Sequence, residues 1–238
     1  MIPGVAVHFA DYVPNKAIQI ASEHTLYSLD KTLLDESKVD AKLQQRYREH
    51  WQQTLGQLTL EDAQYSLNFR HSDKMGANAF ALPDGTIVVT DDLLSLIDNN
   101  QDLLQAILLH EIGHVERNHS MRLIAETLAT SLAIDYFFGD LGGMIEVFAG
   151  LSNTIVQNQF SQKLEWEADN FALTQIEALG LDPESFALAM EKLAESLPDE
   201  SKLDTLMQSH PLMKERIENA RARKIVFEPC TYQTLFAT

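Results

Sequence analysis

Residues 101–118 read Gln-Asp-Leu-Leu-Gln-Ala-Ile-Leu-Leu-His-Glu-Ile-Gly-His-Val-Glu-Arg-Asn. Leu104, Ile107, Leu108, Ile112 and Val115 recur at helical spacing. Asn99-Asn100 ahead of them is a turn signal, and Asp102 sits in the first turn. Arg117 and His119 fall near the far end, where positive charge suits the helix dipole. The pattern predicts one helix. On it, His110 and His114 are four residues apart, so they lie on one face, one turn from each other. Both imidazoles can then reach a single metal ion, with Glu111 projecting beside them toward a metal-bound water. Gly113 within the helix costs about 1 kcal/mol relative to Ala, which suggests that another backbone approaches there.

A catalytic zinc site takes three protein ligands and keeps one position open. A three-histidine site would need His at position 120 and Gly at 117, where this chain has Ser120 and Arg117, and His119 falls one residue short. The second candidate is Glu165-Trp166-Glu167-Ala168-Asp169, in a stretch where Leu164, Ala168, Phe171, Ala172 and Gln175 follow a helical pattern. Glu165 and Asp169 share a face. Glu167 is turned roughly 200° from Glu165. Glu165 is therefore the expected third ligand. Asp169 is expected behind a ligating histidine, His110, accepting a hydrogen bond from its far nitrogen and so fixing its tautomer. Alone, such a run would read as a solvated acidic helix face; beside the histidine pair it completes a site for one zinc ion. His8, His24, His50, His71 and His119 have no partners at ligand spacing and receive no role.

Upstream, Tyr65, Leu67 and Phe69 alternate with polar residues over 63–71, the pattern of a half-buried strand. Residues 79–82 and 86–90 flank the turn signal Pro83-Asp84-Gly85. A small antiparallel sheet beside the His110–His114 helix is expected. Helices are expected at about 15–36, 38–55, 91–97, 101–118, 120–138, 143–159, 161–180, 183–197 and 211–222. The fold class is α+β, predominantly helical. One domain over 1–238 is the simplest division, with N-terminal helices in about 15–55 and a catalytic core in about 63–222.

Together these stretches resemble the HtpX, CAAX prenyl protease and BepA-type zinc metallopeptidases of the gluzincin clan. His110–His114 is similar to the family's H-E-x-x-H, and Glu165–Asp169 to its E-x-E-A-D. Residues 78–90 resemble its strand segment ahead of the active helix, with Asp84-Gly85 where the family usually has Gly-Gly. Ser209-His210-Pro211 followed by Arg216-Ile217 is a fourth likeness. The resemblance implies a zincin-like domain that hydrolyses peptide bonds, with His110, His114 and Glu165 on zinc and Glu111 as general base. It implies that Asn78, Ala79 and Phe80 lie by the cleft, where a sheet edge can pair with an extended peptide. The plain alternative for these residues is structural sheet. It also implies that His210 sits over the metal, as a fourth ligand or facing the reacting carbonyl, with Arg216 close by. Without the resemblance, His210 or Ser209 reads as a helix cap ahead of Pro211. The substrate it implies is a polypeptide, unfolded or membrane-associated. The implied setting is protein quality control or processing at or near a membrane, in a bacterial-type membrane-associated or periplasmic protein. A competing reading is a latent or non-catalytic, zinc-stabilised, chaperone-like module whose metal site His210 closes.

Composition bounds these readings. The 238 residues are 45% hydrophobic and carry a net charge of −17. That balance argues against nucleic-acid binding, which needs a basic face, and against docking on anionic lipid by charge alone. Cys230, the sole cysteine, excludes an intrachain disulfide and leaves the compartment open. The start, Met1-Ile2-Pro3-Gly4, lacks the marks of a signal peptide. No run reaches the roughly 18 apolar residues of a membrane helix; Glu126, Asp135, Asp140 and Glu146 interrupt the apolar stretch 123–160. Either a naturally soluble chain or the catalytic piece of a longer, membrane-anchored protein fits. Oligomeric state is not legible.

Overall fold

The computed structural model describes residues 14–60, 64–124, 160–195 and 213–226. The chain enters through α1 (Asn15–Thr32), passes the two-residue strand β1 (Asp35–Glu36) and turns into α2 (Ala41–Leu55). Asp40 sets the start of α2: its side chain accepts hydrogen bonds from the backbone N–H groups of Lys42 and Leu43, satisfying donors that have no partner within the helix. Then come β2 (Ser66–His71), β3 (Ala79–Ala81) and β4 (Thr86–Thr90). Leu67 and Phe69 of β2 are buried while Ser66 is exposed, the alternation of a strand with one face in the core.

The sheet is mixed, which corrects the expected antiparallel arrangement. Its order is β1-β2-β4-β3. β1 and β3 run antiparallel to their neighbours, but β2 and β4 are parallel, with Leu67 opposite Ile87 and Phe69 opposite Val89. The reason lies in the connections. The tight turn after β3 forces β4 back along it, so β4 slots between β3 and β2 and runs the same way as β2. Gly85 makes that turn with φ +88°, and a Cβ there would lie 2.7 Å from the Gln64 carbonyl oxygen. Asp84 supports the turn, accepting from the backbone N–H and the hydroxyl of Thr86. As a central strand, β4 is covered on both faces: Ile87, Val88 and Val89 are all fully buried, which is why it reads as a continuous apolar run.

Thr90 closes β4 and caps α3 (Asp91–Leu96), its hydroxyl accepting from Leu93 N–H. Asp98 and Asn99, in left-handed conformation, turn the chain into α4 (Gln101–Glu116), capped by the Asn100 side chain on the N–H groups of Asp102 and Leu103. Every residue from Leu103 to His114 is buried, so α4 runs through the middle of the molecule. It ends two residues earlier than its periodicity suggests, because Asn118 adopts φ 54°, a conformation asparagine tolerates better than most residues. Helical backbone resumes over 119–124. Then come α5 (Gln162–Ala178), α6 (Glu184–Glu195) and α7 (Met213–Val226). The most extensive packing joins α4 to α5, with α6 and α7 closing over them. Gly113 makes the first contact possible: a Cβ there would lie 3.0 Å from the Ala168 carbonyl oxygen.

The fold is thus α+β with helices dominant, a zincin-like domain. The helices expected at about 143–159 and, beyond Ile124, at 120–138 lie outside the described residues, as do His210 and Cys230. No helix among the described residues is long and apolar enough to cross a membrane.

Candidate metal centre

α4 presents His110 and His114 one turn apart, and α5 crosses it so that Glu165 faces both. The Nε2 atoms of the two histidines are 3.1 Å apart. Glu165 Oε2 lies 3.6 Å from His110 Nε2, and Oε1 lies 3.4 Å from His114 Nε2. Three buried ligand atoms therefore converge within 4.8 Å of one another. With zinc–ligand bonds of about 2.0–2.1 Å, the edge of a tetrahedron is about 3.3 Å; the separation of the two nitrogens and the nearest approach of one carboxylate oxygen to each are of that size. The local field favours a cation as well: burial opposes charging His110, yet Asp169 and Glu165 together raise its pKa. Two nitrogens and a carboxylate oxygen are a donor set that zinc accepts.

Behind the ligands, His110 Nδ1 lies 2.9 Å from Asp169 Oδ1, a close polar contact rather than a well-aligned hydrogen bond. Arg216, projecting from α7, grips Asp169 with both arms of its guanidinium, at 2.6 and 2.7 Å. Its third nitrogen lies 2.9 Å from Glu165 Oε2. Burial works against ionising Asp169, but Arg216 and His110 outweigh it and hold the carboxyl below its ordinary range. Glu111 is buried beside the ligands. Burial pushes its carboxyl up, His110 opposes, Glu165 adds to the rise, and the result is about 7. A hydrogen bond to the Ala81 backbone ties it to β3.

A sequence model of peptidase family M48 matches residues 38–224. The chain belongs to that family. Among M48-type relatives, it is 30% identical over 161 residues to metalloprotease LoiP of Escherichia coli strain K12 (66% of this chain, 62% of LoiP). It is 32% identical over 164 residues to the beta-barrel assembly-enhancing protease of Yersinia pestis (64% of this chain, 33% of the relative). It is 32% identical over 142 residues to mitochondrial metalloendopeptidase OMA1 of Schizosaccharomyces pombe (59% and 41%). This chain therefore spans less than two thirds of the length of each of these relatives. M48 is a family of zinc metallopeptidases of the gluzincin clan, and the buried His-His-Glu group is what such a member needs to hold a metal.

Against the M48 pattern, the remaining expected residues divide. Ala79 and Phe80 are in β3, the last strand in the sheet order, with Asn78 just before it. The Phe80 side chain is fully buried, in an apolar cluster with Leu29, Leu34, Leu82 and Val88. Its ring therefore has a core role, and its backbone lies opposite Val88 of β4. Arg216, at 1% exposure, braces Glu165 and Asp169 from behind. The reason is charge balance, since two buried carboxylates require a buried cation. His119 was missed. Its Nδ1 lies 2.9 Å from His114 Nδ1, and its Nε2 lies 3.2 Å from Glu167 Oε2. On a continuous helix, residue 119 would point about 140° from 114; the break at Asn118 swings it back. An asparagine three residues beyond the helix's last apolar position was the available signal.

Proposed function

We propose that this chain is a zinc-dependent metalloendopeptidase. The observation that carries the proposal is the convergence of His110, His114 and Glu165 around one buried point, with Glu111 beside it as a buried carboxylate that is not a ligand. When bound, zinc would supply Lewis acidity, acidifying a water and polarising the scissile carbonyl. Glu111 takes the water's proton and returns it to the leaving amine. Its carboxyl, pushed up to about 7, is matched to that exchange near neutral pH. Asp169 orients His110, and Arg216 keeps Asp169 charged and holds both Asp169 and Glu165 in place. We place an extended peptide beside β3, the last strand in the sheet order, near Asn78, Ala79 and Phe80. The substrates we infer are unfolded or membrane-associated polypeptides in quality control at or near a membrane, a reading supported by the beta-barrel assembly-enhancing name of the Yersinia relative.

Cleavage of casein by the zinc-supplemented wild type and by Glu111→Gln tests the core of this. Glu111→Gln is expected to lower turnover by about 100- to 10,000-fold, the range of general base catalysis. Turnover surviving in Glu111→Gln would overturn the assignment of the base, and turnover surviving chelation would overturn the metal.

A further inference from the structure

His119 is fully buried (0% exposed) and takes no part in the chemistry above. It stands between a site residue and the surface: His114 on one side at 2.9 Å, Glu167 on the other at 3.2 Å. Glu167 Oε2 also accepts from Arg122 Nη1 at 3.2 Å, and Lys163 Nζ lies 3.8 Å from Oε1. Phe160 stacks on the His114 ring, with centroids 4.2 Å apart and planes 23° from parallel, and so fixes the ring's plane.

Valence then dictates where the protons are. A neutral imidazole has one donor nitrogen and one acceptor. For His114 Nε2, the atom facing Glu165, to donate its lone pair to a metal, the proton of His114 must sit on Nδ1. His119 Nδ1 lies 2.9 Å from that nitrogen, too close for both to carry a proton, so it must be an acceptor. The proton of His119 then sits on Nε2, where a carboxylate awaits it. The reverse polarity, with His119 donating from Nδ1, would place the His114 proton on Nε2 and block the ligand atom. We propose that His119 and Glu167 are positioning residues, a relay that sets the protonated nitrogen of His114 and leaves Nε2 available to the metal. The inference rests on the zinc reading above. It gives the two histidines different supports: His110 meets a carboxylate directly, while His114 reaches one through a second imidazole. It also gives a purpose to Glu167, which faces away from the metal on α5 and serves the same site from behind.

The test is zinc affinity of the purified chain, measured by competition with a chromophoric chelator, in wild type, His119→Phe and His119→Gln. Phenylalanine keeps the ring's packing and removes the acceptor; glutamine can accept from His114 and donate to Glu167. The expected result is about 10- to 100-fold weaker zinc binding in His119→Phe, the range for losing a partner behind a ligand, with most of it regained in His119→Gln. In the zinc-loaded wild type, nitrogen-15 spectra are expected to show His119 protonated at Nε2. A proton on Nδ1 would overturn the relay, as would unchanged affinity in His119→Phe. Should His119→Phe not fold, Glu167→Ala, at the solvent end, is expected to weaken zinc in the same direction, and unchanged affinity there would count against the relay. Wild type that binds no zinc overturns the metal reading itself; wild type that binds while the variants match it overturns the relay alone.

Discussion

The two histidines of this site sit one turn apart on one helix yet stand on different ground. Behind His110 is a dry, fully charged cluster: Asp169 and Arg216 are both essentially inaccessible, and Arg216 spans Asp169 and Glu165 at 2.6–2.9 Å. Behind His114 the contacts run outward, through buried His119 to Glu167, whose side chain is 33% exposed, and to Arg122. The same task, orienting an imidazole, is met with a buried salt bridge on one side and a neutral link ending in water on the other. The first arrangement is intolerant, because removing one member leaves an uncompensated charge in a low dielectric. The second is forgiving of stability, since losing the half-exposed outer carboxylate strands no charge in the interior.

The comparison can be broken from its intolerant side. Arg216→Met strands Asp169 and Glu165 without their cation and is expected to destabilise the fold by about 3–5 kcal/mol, read by denaturant unfolding of the metal-free protein. A loss below 1 kcal/mol would mean that the cluster is relieved by water the packing does not suggest. Asp169→Asn is expected to weaken zinc binding by about 10- to 100-fold. It should also change the acid limb of stability. The folded-state pKa of Asp169 lies below its ordinary 3.8, so the wild type has this contribution in full above that value and loses it as pH falls further. In Asp169→Asn, that part of the acid loss is expected to vanish from unfolding curves taken below pH 4.

Two smaller effects sharpen it. Gly113→Ala places a Cβ 3.0 Å from the Ala168 carbonyl oxygen. Overpacking of this kind costs about 1–3 kcal/mol, against about 1 kcal/mol of improved helix propensity. A net loss is expected in thermal melts, with zinc affinity falling too, because α5 carries Glu165 and Asp169. At the forgiving end, Glu167→Gln is expected to change stability by no more than about 0.5 kcal/mol. A larger loss would show that the outer end of the His114 support is as demanding as the inner end of the other.

Much of this was legible in advance. Helical period alone sets His110 beside His114 and Glu165 beside Asp169, and the Asn99-Asn100 turn signal and Asp102 mark where the first of these helices begins. Gly113 foretold a close backbone, and Ala168 is that backbone. The order of the sheet was not legible, because the turn at Gly85 specifies how β3 meets β4 but says nothing of where β2 lies. Neither was the burial of Phe80 and Arg216, since a residue's exposure depends on what crosses above it.

What this sequence determines by itself is therefore local: which side chains share a helix face, where a helix is capped, where a turn needs glycine. Those follow from backbone geometry within a few residues. Only the tertiary structure decides that α5 crosses α4 at Gly113, that Arg216 comes from α7 to neutralise two carboxylates, and that the left-handed Asn118 returns His119 to His114. The first two are encounters between distant segments, governed by packing and charge compensation, and the third is a break in the helix; helical periodicity encodes none of them.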